Sequence, residues 1–340
     1  MQAAKYNWGV PTVVTLPKPS LVPGSVLVKV VCAGVNPVDA KNVIGDKLPA
    51  WEPCKRLTEW FVRDCTPGFD FAGTVVQAGD SQCNAGDHVF GTVPPFKGSF
   101  AEYVVAPVSQ IALKPKALTF TEAAVLPLSG LTSIQSLSGR VKPGSNVLII
   151  GASGGTGHVA VQVAAALGGR VTAVCSARNA GFVHALGAAD AVAYHNDLIG
   201  AVYHPRSAQH GAFDVALDCV SSGDARDAAF GYEARIRGEP ELLRGDFLRL
   251  GGGVVDWATA GCKRALGVNL FREGRELFWV RFPDSAQELR QLAEWADAGR
   301  LKPAVASVHP LSADGVAQAF ADLRGRRVRG KVAIAVAPED

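Results

Sequence analysis

Residues 146–168, NVLIIGASGGTGHVAVQVAAALG, run an apolar segment straight into a glycine-rich turn and then into a stretch whose apolar residues Val159, Val163 and Leu167 recur every four positions. That order admits few folds. A run as apolar as 147–150 has no face to give to water, so a strand formed there must be covered on both sides. The spacing of four places the later residues on one helical stripe over 156–167, and Gly168-Gly169 stop it. Strand and helix signals then keep alternating: "RVTAVC", a helix around "GFVHALG", "AVAY", "FDVALDCV", "FLRLGGGVVDW" and "RELFWVRF". Nearly all-apolar strands alternating with helical segments predict a parallel sheet covered on both faces, the α/β class.

The flanks differ from this middle. Residues 1 to about 115 carry short Val- and Phe-rich runs, "SVLVKVVCAGV", "FAGTVVQAG", "DHVFGTV" and "FAEYVVAP", cut by Gly, Pro and Asp, and predict an irregular, partly barrel-like β domain. Thr119 stands three residues ahead of Glu122, a capping-box spacing, and opens a helix that Pro127 should kink. The last forty residues hold a helix at "SADGVAQAFADL" and a strand at "KVAIAV". A length of 340 residues favours two domains, and 48% hydrophobic with 19% charged residues fills their cores and argues against disorder.

A net charge of +3 gives no argument for nucleic acid. No apolar run approaches the roughly 18 residues of a membrane span, and the N-terminus shows no leader pattern, so the mature chain is expected to begin at once. The seven cysteines are odd in number and never form a CxxC pair, which suits a reducing intracellular compartment and speaks against a zinc ribbon.

Ala152-Ser153-Gly154-Gly155-Thr156-Gly157 has the form AxGxxG between a strand and a helix. Gly154 and Gly157 let backbone approach a pyrophosphate, and the helix directs free N–H groups and its positive dipole end toward it. About 20 residues on, an acid is expected for the ribose hydroxyls of NAD. Ser176-Ala177-Arg178-Asn179 stands there instead. A hydroxyl and a guanidinium hydrogen-bond a ribose phosphate, so NADP(H) is favoured. The alternative is that Arg178 is a solvated residue opening the next helix.

The segments "AGVNPVDAK" (33–41), "PGFDFAGTV" (67–75), "AGDHVFG" (85–91), "GSFAEYVV" (98–105), "LPLSGLTSIQSL" (126–137), "GASGGTGHVAVQ" (151–162), "VTAVCSARN" (171–179), "LGAADAVAY" (186–194) and "GKVAI" (330–334) follow one another in the order of a known family. The chain resembles the zinc-free quinone oxidoreductase branch of the medium-chain dehydrogenase/reductase superfamily, and most of all the chloroplast envelope quinone oxidoreductase homologues. The resemblance implies a GroES-like β-rich catalytic domain over 1–116 and 299–340, with a Rossmann doubly wound parallel-sheet cofactor domain over 117–298. Zinc members place a cysteine in the first segment and a His-Glu pair in the second, where Asn36 and Phe69-Asp70 stand here. No metal is therefore expected.

What the resemblance implies instead is hydride transfer from NADPH to the β-carbon of an α,β-unsaturated carbonyl (an alkenal, enone or oxo-lipid) or to a quinone, with enolate charge met by hydrogen-bond donors. Asn36 and Lys41 are the candidate catalytic residues. Asn36 precedes Pro37 and is equally a turn former; Lys41 reads as a cofactor contact rather than a proton donor, or as a surface lysine. Thr132 is a nicotinamide-ribose contact; Gly154, Gly155, Thr156 and Gly157 hold the pyrophosphate. Ser176, Arg178, Asn179 and Tyr194 surround the ribose phosphate, with Gly330 and Lys331 at the domain return. Tyr194 is otherwise a strand-end aromatic. Many relatives have an aromatic where Ile134 stands, which leaves protonation of the enolate to water.

Relatives are often dimers, and those at the plastid envelope leave both a peripheral membrane contact and the compartment open. An enoyl-thioester reductase, or a cofactor-binding protein serving structure or partner binding, are the alternative readings. Arg324, Arg326, Arg327 and Arg329 read as a solvated loop, and His88, His184 and His309 as structural residues without partners. Trp51, Trp60 and Phe61 in 46–66 either lid the substrate cleft or pack on the protein's own surface.

Overall fold

The computed structural model describes residues 1–7, 10–39, 65–79, 82–94, 97–193, 211–220, 232–239, 241–250, 275–277, 281 and 283–339. Two compact units emerge, one of residues 1–131 with 281–340 and one of residues 132–280.

The first unit is β-rich. Strands β1 (Gln2–Asn7) and β2 (Val10–Thr15) form an antiparallel pair. A seven-stranded sheet is built around β3 (Ser25–Val35), which is buried along almost its whole length. With β4 (Asp70–Gln77), β5 (His88–Thr92), β6 (Tyr103–Pro107), β7 (Ile111–Leu113), β14 (Val305–Pro310) and β15 (Lys331–Ala335), the order is β14-β15-β3-β4-β5-β7, and β6 also pairs with β3. The final strand of the chain therefore lies against the third, antiparallel. Val26, Val28 and Val30 enter one core cluster with Phe71, Val89 and Ile111, while Ala33 and Val35 enter another with Phe100, Phe320 and Ile334. Between Val30 and Cys32 the pairing register of β3 with β4 shifts, at the place where the strand passes from one cluster to the other.

Helix α1 (Phe120–Ala124) opens with the predicted capping box: Thr119 Oγ1 accepts from Glu122 N at 3.1 Å and Glu122 Oε2 accepts from Thr119 N at 3.0 Å. Pro127 does not kink a continuing helix. The first helix stops at Ala124, and Pro127 is the first residue of a separate helix α2 (Pro127–Leu137), a position where its missing N–H costs nothing. The strip 117–131, expected to belong to the second domain, clusters with the first unit. Phe120 tilts against His88 with ring centroids 4.8 Å apart, and a Cβ on Gly130 would lie 2.5 Å from Leu292. Leu292 belongs to helix α6 (Ala286–Asp297), absent from the sequence reading, which buries Leu289, Leu292, Trp295 and Ala296 along one stripe. That burial likewise assigns 286–297 to the first unit.

The second unit is a parallel sheet of β8 (Asn146–Ile150), β9 (Arg170–Cys175), β10 (Asp190–Ala193), β11 (Phe213–Asp218), β12 (Leu243–Arg249) and β13 (Arg275–Leu277), in the order β10-β9-β8-β11-β12-β13. Counted from β8, this is the doubly wound order 3-2-1-4-5-6. Helix α3 (Gly157–Ala166) joins β8 to β9, α4 (Ala180–Ala185) joins β9 to β10, and α5 (Tyr232–Arg237) precedes β12. Strand order reverses beside β8, so a ligand is expected outside the carboxyl end of that strand.

Thr119→Ala should lower stability by about 1 kcal/mol, the usual cost of a lost N-cap, read as a shift of the urea midpoint.

Candidate functional site

Strand β8 ends at Ile150, residues 151–156 turn, and α3 begins at Gly157. A Cβ at Gly157 would lie 2.2 Å from the Gly151 carbonyl oxygen, so only glycine lets the helix start that close to the strand. A Cβ at Gly154 would meet nothing nearer than that same oxygen at 3.3 Å. The positive end of α3 lies at this turn, an anion's preferred position, with the His158 N–H given to the Gly154 carbonyl and the Val159 N–H to that of Thr156, both at 3.1 Å. Beside it β9 ends at Cys175, followed by the half-buried Ser176 and a single 3-10 turn Ala177–Asn179 in which Arg178 is exposed. Asn179 Nδ2 donates to Ser153 Oγ at 2.9 Å. This bond ties the loop that carries Ser176 and Arg178 to the turn that carries Ser153, Gly154 and Gly157. These residues fit a dinucleotide: glycine for backbone approach, a helix start for pyrophosphate, and hydroxyl and guanidinium groups for the ribose end. Thr132 lies buried on α2.

In the first unit four polar side chains meet away from water. Asn36 ends β3's continuation, Pro37 opens a helical turn over 37–39, and Asp39 Oδ2 reaches back to accept the Asn36 N–H at 2.8 Å. The Asn36 carboxamide turns the other way. Its Nδ2 donates to Asp70 Oδ2 at 3.0 Å, and its Oδ1 accepts from the Lys331 ammonium. Lys331 Nζ is 3.9 Å from Asp70 Oδ2. Asp70 Oδ1 accepts from Leu128 N at 3.0 Å, placing the carboxylate at the positive end of α2. Asn36 is 2% exposed, Asp39 1%, Asp70 0% and Lys331 5%.

Burial sets the electrostatics. It pushes the Asp39 carboxyl from its ordinary 3.8 up to about 8, the Asn36 N–H pulling down and the nearby Asp70 pushing up further. Burial also lifts Asp70, but Lys331, Asn36 and the Leu128 N–H oppose it and hold it to about 6. Lys331 is lowered by burial against the pull of Asp70 and Asp39. Burial thus favours the neutral form of Asp39, while Lys331, Asn36 and the Leu128 N–H favour the ionised form of Asp70.

Lys331, expected at a cofactor, has its ammonium in this cluster, and Gly330 precedes it with φ 91°. Lys41, Tyr194, His195 and residues 46–64 of the aromatic segment lie outside the described residues. His309 is not alone as expected: its Nε2 is 2.8 Å from Asp322 Oδ2, to which Ser307 Oγ also donates at 2.8 Å. His184 Nδ1 meets the Ala188 carbonyl and His88 packs on Phe120. Arg324, Arg326, Arg327 and Arg329 are exposed, and Arg324 donates to the Phe320 carbonyl. Among the described residues, no three His, Cys, Asp or Glu side chains gather as metal ligands would, and no helix is long and apolar enough to cross a membrane. Asp39 and Asp70 were not among the expected site residues; the one available signal was an acid three residues after Asn36.

A family model described as the alcohol dehydrogenase GroES-like domain matches residues 22–116, and one described as zinc-binding dehydrogenase matches residues 186–334. The mouse mitochondrial NAD(P)H oxidoreductase RTN4IP1 is 32% identical to this chain, over 92% of it and 82% of the relative. The chain belongs to the medium-chain dehydrogenase/reductase superfamily. Within the superfamily it is also similar to the tomato 2-methylene-furan-3-one reductase, 29% identical over 93% of this chain and 73% of that one. The quinone oxidoreductase of Coxiella burnetii superposes with a TM-score of 0.75 at 28% identity, covering 98% of both chains. A GroES-like β-rich unit and a Rossmann-type parallel-sheet unit are what this superfamily combines, and both are present.

Lys331→Met should cost about 3–5 kcal/mol in chemical denaturation, because it leaves the Asp70 carboxylate buried without its cation, and adding Asp70→Asn should recover most of that loss. The native Asp39 carboxyl titrates above its unfolded value, so the stability it contributes is whole below about pH 4 and is lost as pH rises through 8. Asp39→Asn should flatten the fall of melting temperature across that window and leave the variant the more stable protein at its alkaline end.

Proposed function

We propose that this dehydrogenase/reductase is an NADPH-dependent, metal-free reductase of quinones and of the C=C bond of α,β-unsaturated carbonyls. The observation that carries the cofactor reading is the loop after β9, where Ser176, Arg178 and Asn179 stand with no carboxylate and Asn179 is tied to Ser153 of the glycine turn. A ribose phosphate would be repelled by an acid there and is met by donors instead. The substrate reading draws support from the tomato enone reductase and the Coxiella quinone oxidoreductase.

When bound, NADPH supplies the hydride. The protein's share is to hold the nucleotide and to meet charge as it develops on the substrate's carbonyl oxygen. The first turn of α3 takes the pyrophosphate, Arg178 and Ser176 the ribose phosphate, and Thr132 the nicotinamide ribose. Asn36 is the donor to the developing enolate. Its carboxamide has a fixed orientation, since the Lys331 ammonium only donates and the Asp70 carboxylate only accepts, and one Nδ2 hydrogen remains beyond the one given to Asp70. Lys41 assists at the cofactor, and the enolate takes its proton from water.

The test follows loss of nicotinamide absorbance with NADPH and a panel of a small quinone, a medium-chain alkenal, an oxo-fatty-acid derivative and an enoyl-CoA. Turnover of the first three is expected in protein that elemental analysis shows to lack zinc. Turnover of the enoyl-CoA alone would make the chain an enoyl-thioester reductase, and turnover of none would leave a binding protein. Arg178→Ala should weaken NADPH binding by about 1.5–3 kcal/mol, the range of a hydrogen bond to a charged group, and leave NADH unchanged. Equal affinity of the unaltered protein for NADPH and NADH would overturn the cofactor assignment.

A further inference from the structure

His158, the second residue of α3, has no exposure to solvent. A fully buried imidazole one residue past a glycine turn calls for a reason, since an apolar side chain would fill the space at lower desolvation cost. Its Nδ1 lies 2.9 Å from the Gly154 carbonyl oxygen. A carbonyl oxygen can only accept, so Nδ1 carries the hydrogen and donates it. The same oxygen accepts the His158 backbone N–H at 3.1 Å. One carbonyl of the turn is thus held twice by a single residue.

The consequence follows from peptide geometry. The bond from Gly154 to Gly155 is a planar trans peptide, so its C=O and N–H point in opposite directions. Fixing the Gly154 oxygen toward α3 aims the Gly155 N–H away from the helix, into the space above the turn. A peptide flanked by two glycines is also the one most free to rotate, because neither neighbour has a Cβ to restrict it. The turn therefore combines the freedom that lets backbone approach an anion with a lock on that freedom. His158 also stacks on Phe182 of α4, ring centroids 6.5 Å apart at 29°, and Asn179 just before α4 donates to Ser153. The turn after β8 and the loop after β9 are joined on both sides.

We propose that His158 is a positioning residue for cofactor binding: its Nδ1–H locks the Gly154–Gly155 peptide with the Gly155 N–H turned toward the cofactor's pyrophosphate. This rests on the nicotinamide-dinucleotide reading above. Pyrophosphate is common to NADPH and NADH, so the effect falls on both, unlike that of Arg178.

The test titrates the intact protein with NADPH and with NADH by tryptophan fluorescence and compares two near-isosteric replacements. His158→Leu fills the space without a donor, and His158→Asn places an amide nitrogen where Nδ1 was. The leucine variant should weaken both nucleotides by the same factor, about threefold to tenfold, the worth of one hydrogen bond, and the asparagine variant should restore binding to within about twofold of the unaltered protein. Leucine binding like histidine, or asparagine as weak as leucine, would overturn the proposal and leave His158 a packing residue. If the leucine chain does not fold, His158→Ser and His158→Ala give the same contrast, since a serine hydroxyl can donate to the carbonyl four residues back. Equal affinities in that pair count against the lock. Failure of the unaltered protein to bind either nucleotide would instead refute the dinucleotide reading itself.

Discussion

A carboxylate shut away from water at Asp70 organises the first unit. An ionised acid in that position is costly unless its lone pairs are met on every side. Here the start of α2 gives the Leu128 N–H, the loop after β3 gives the Asn36 amide, and the last strand gives the Lys331 ammonium. Three segments remote in sequence are placed by one group's need for partners. The upward push on the Asp39 carboxyl belongs to the same balance, for two carboxylates facing one ammonium would leave an uncompensated charge.

The second unit works differently. Its site is made of backbone and of loop residues at strand ends, supported by β8, buried at every residue, and β9, buried at all but its first. Glycine supplies close approach at Gly157, and side chains such as His158 and Asn179 remove the looseness that glycine brings. Rigidity in a nucleotide cradle saves affinity that would otherwise be spent ordering it on binding.

What could be read in advance was whatever is written locally. The strands of the parallel sheet and the helix after the glycine turn were legible because hydrophobic period and turn residues lie within a few positions of one another, and the Thr119 capping box for the same reason. Pro127 misled because the same residue kinks a helix from within and opens one from its first position; only the packing around it separates the two. Helix α6 was overlooked although Leu289, Leu292 and Trp295 carry its period, since charged residues between them thin the apolar stripe. The Asn36–Lys331 pair was beyond reach. Its partners are 295 positions apart, and no pattern along a chain reports which lysine crosses a sheet to meet which asparagine. The double hold on Gly154 was within reach of spacing, four residues, but reading it required knowing that the ring turns inward.

The pairing of β15 with β3 has a consequence for how the molecule comes into being. A ribosome delivers β3 well before β15, with the Rossmann unit between them. That middle unit is continuous in the chain and can fold as it emerges, whereas the GroES-like unit must wait with a gap beside β3 and an acid lacking its counter-charge. Until β15 leaves the exit tunnel the nascent polypeptide holds a finished nucleotide fold and an unfinished barrel, and a chain broken off before Lys331 is stranded there.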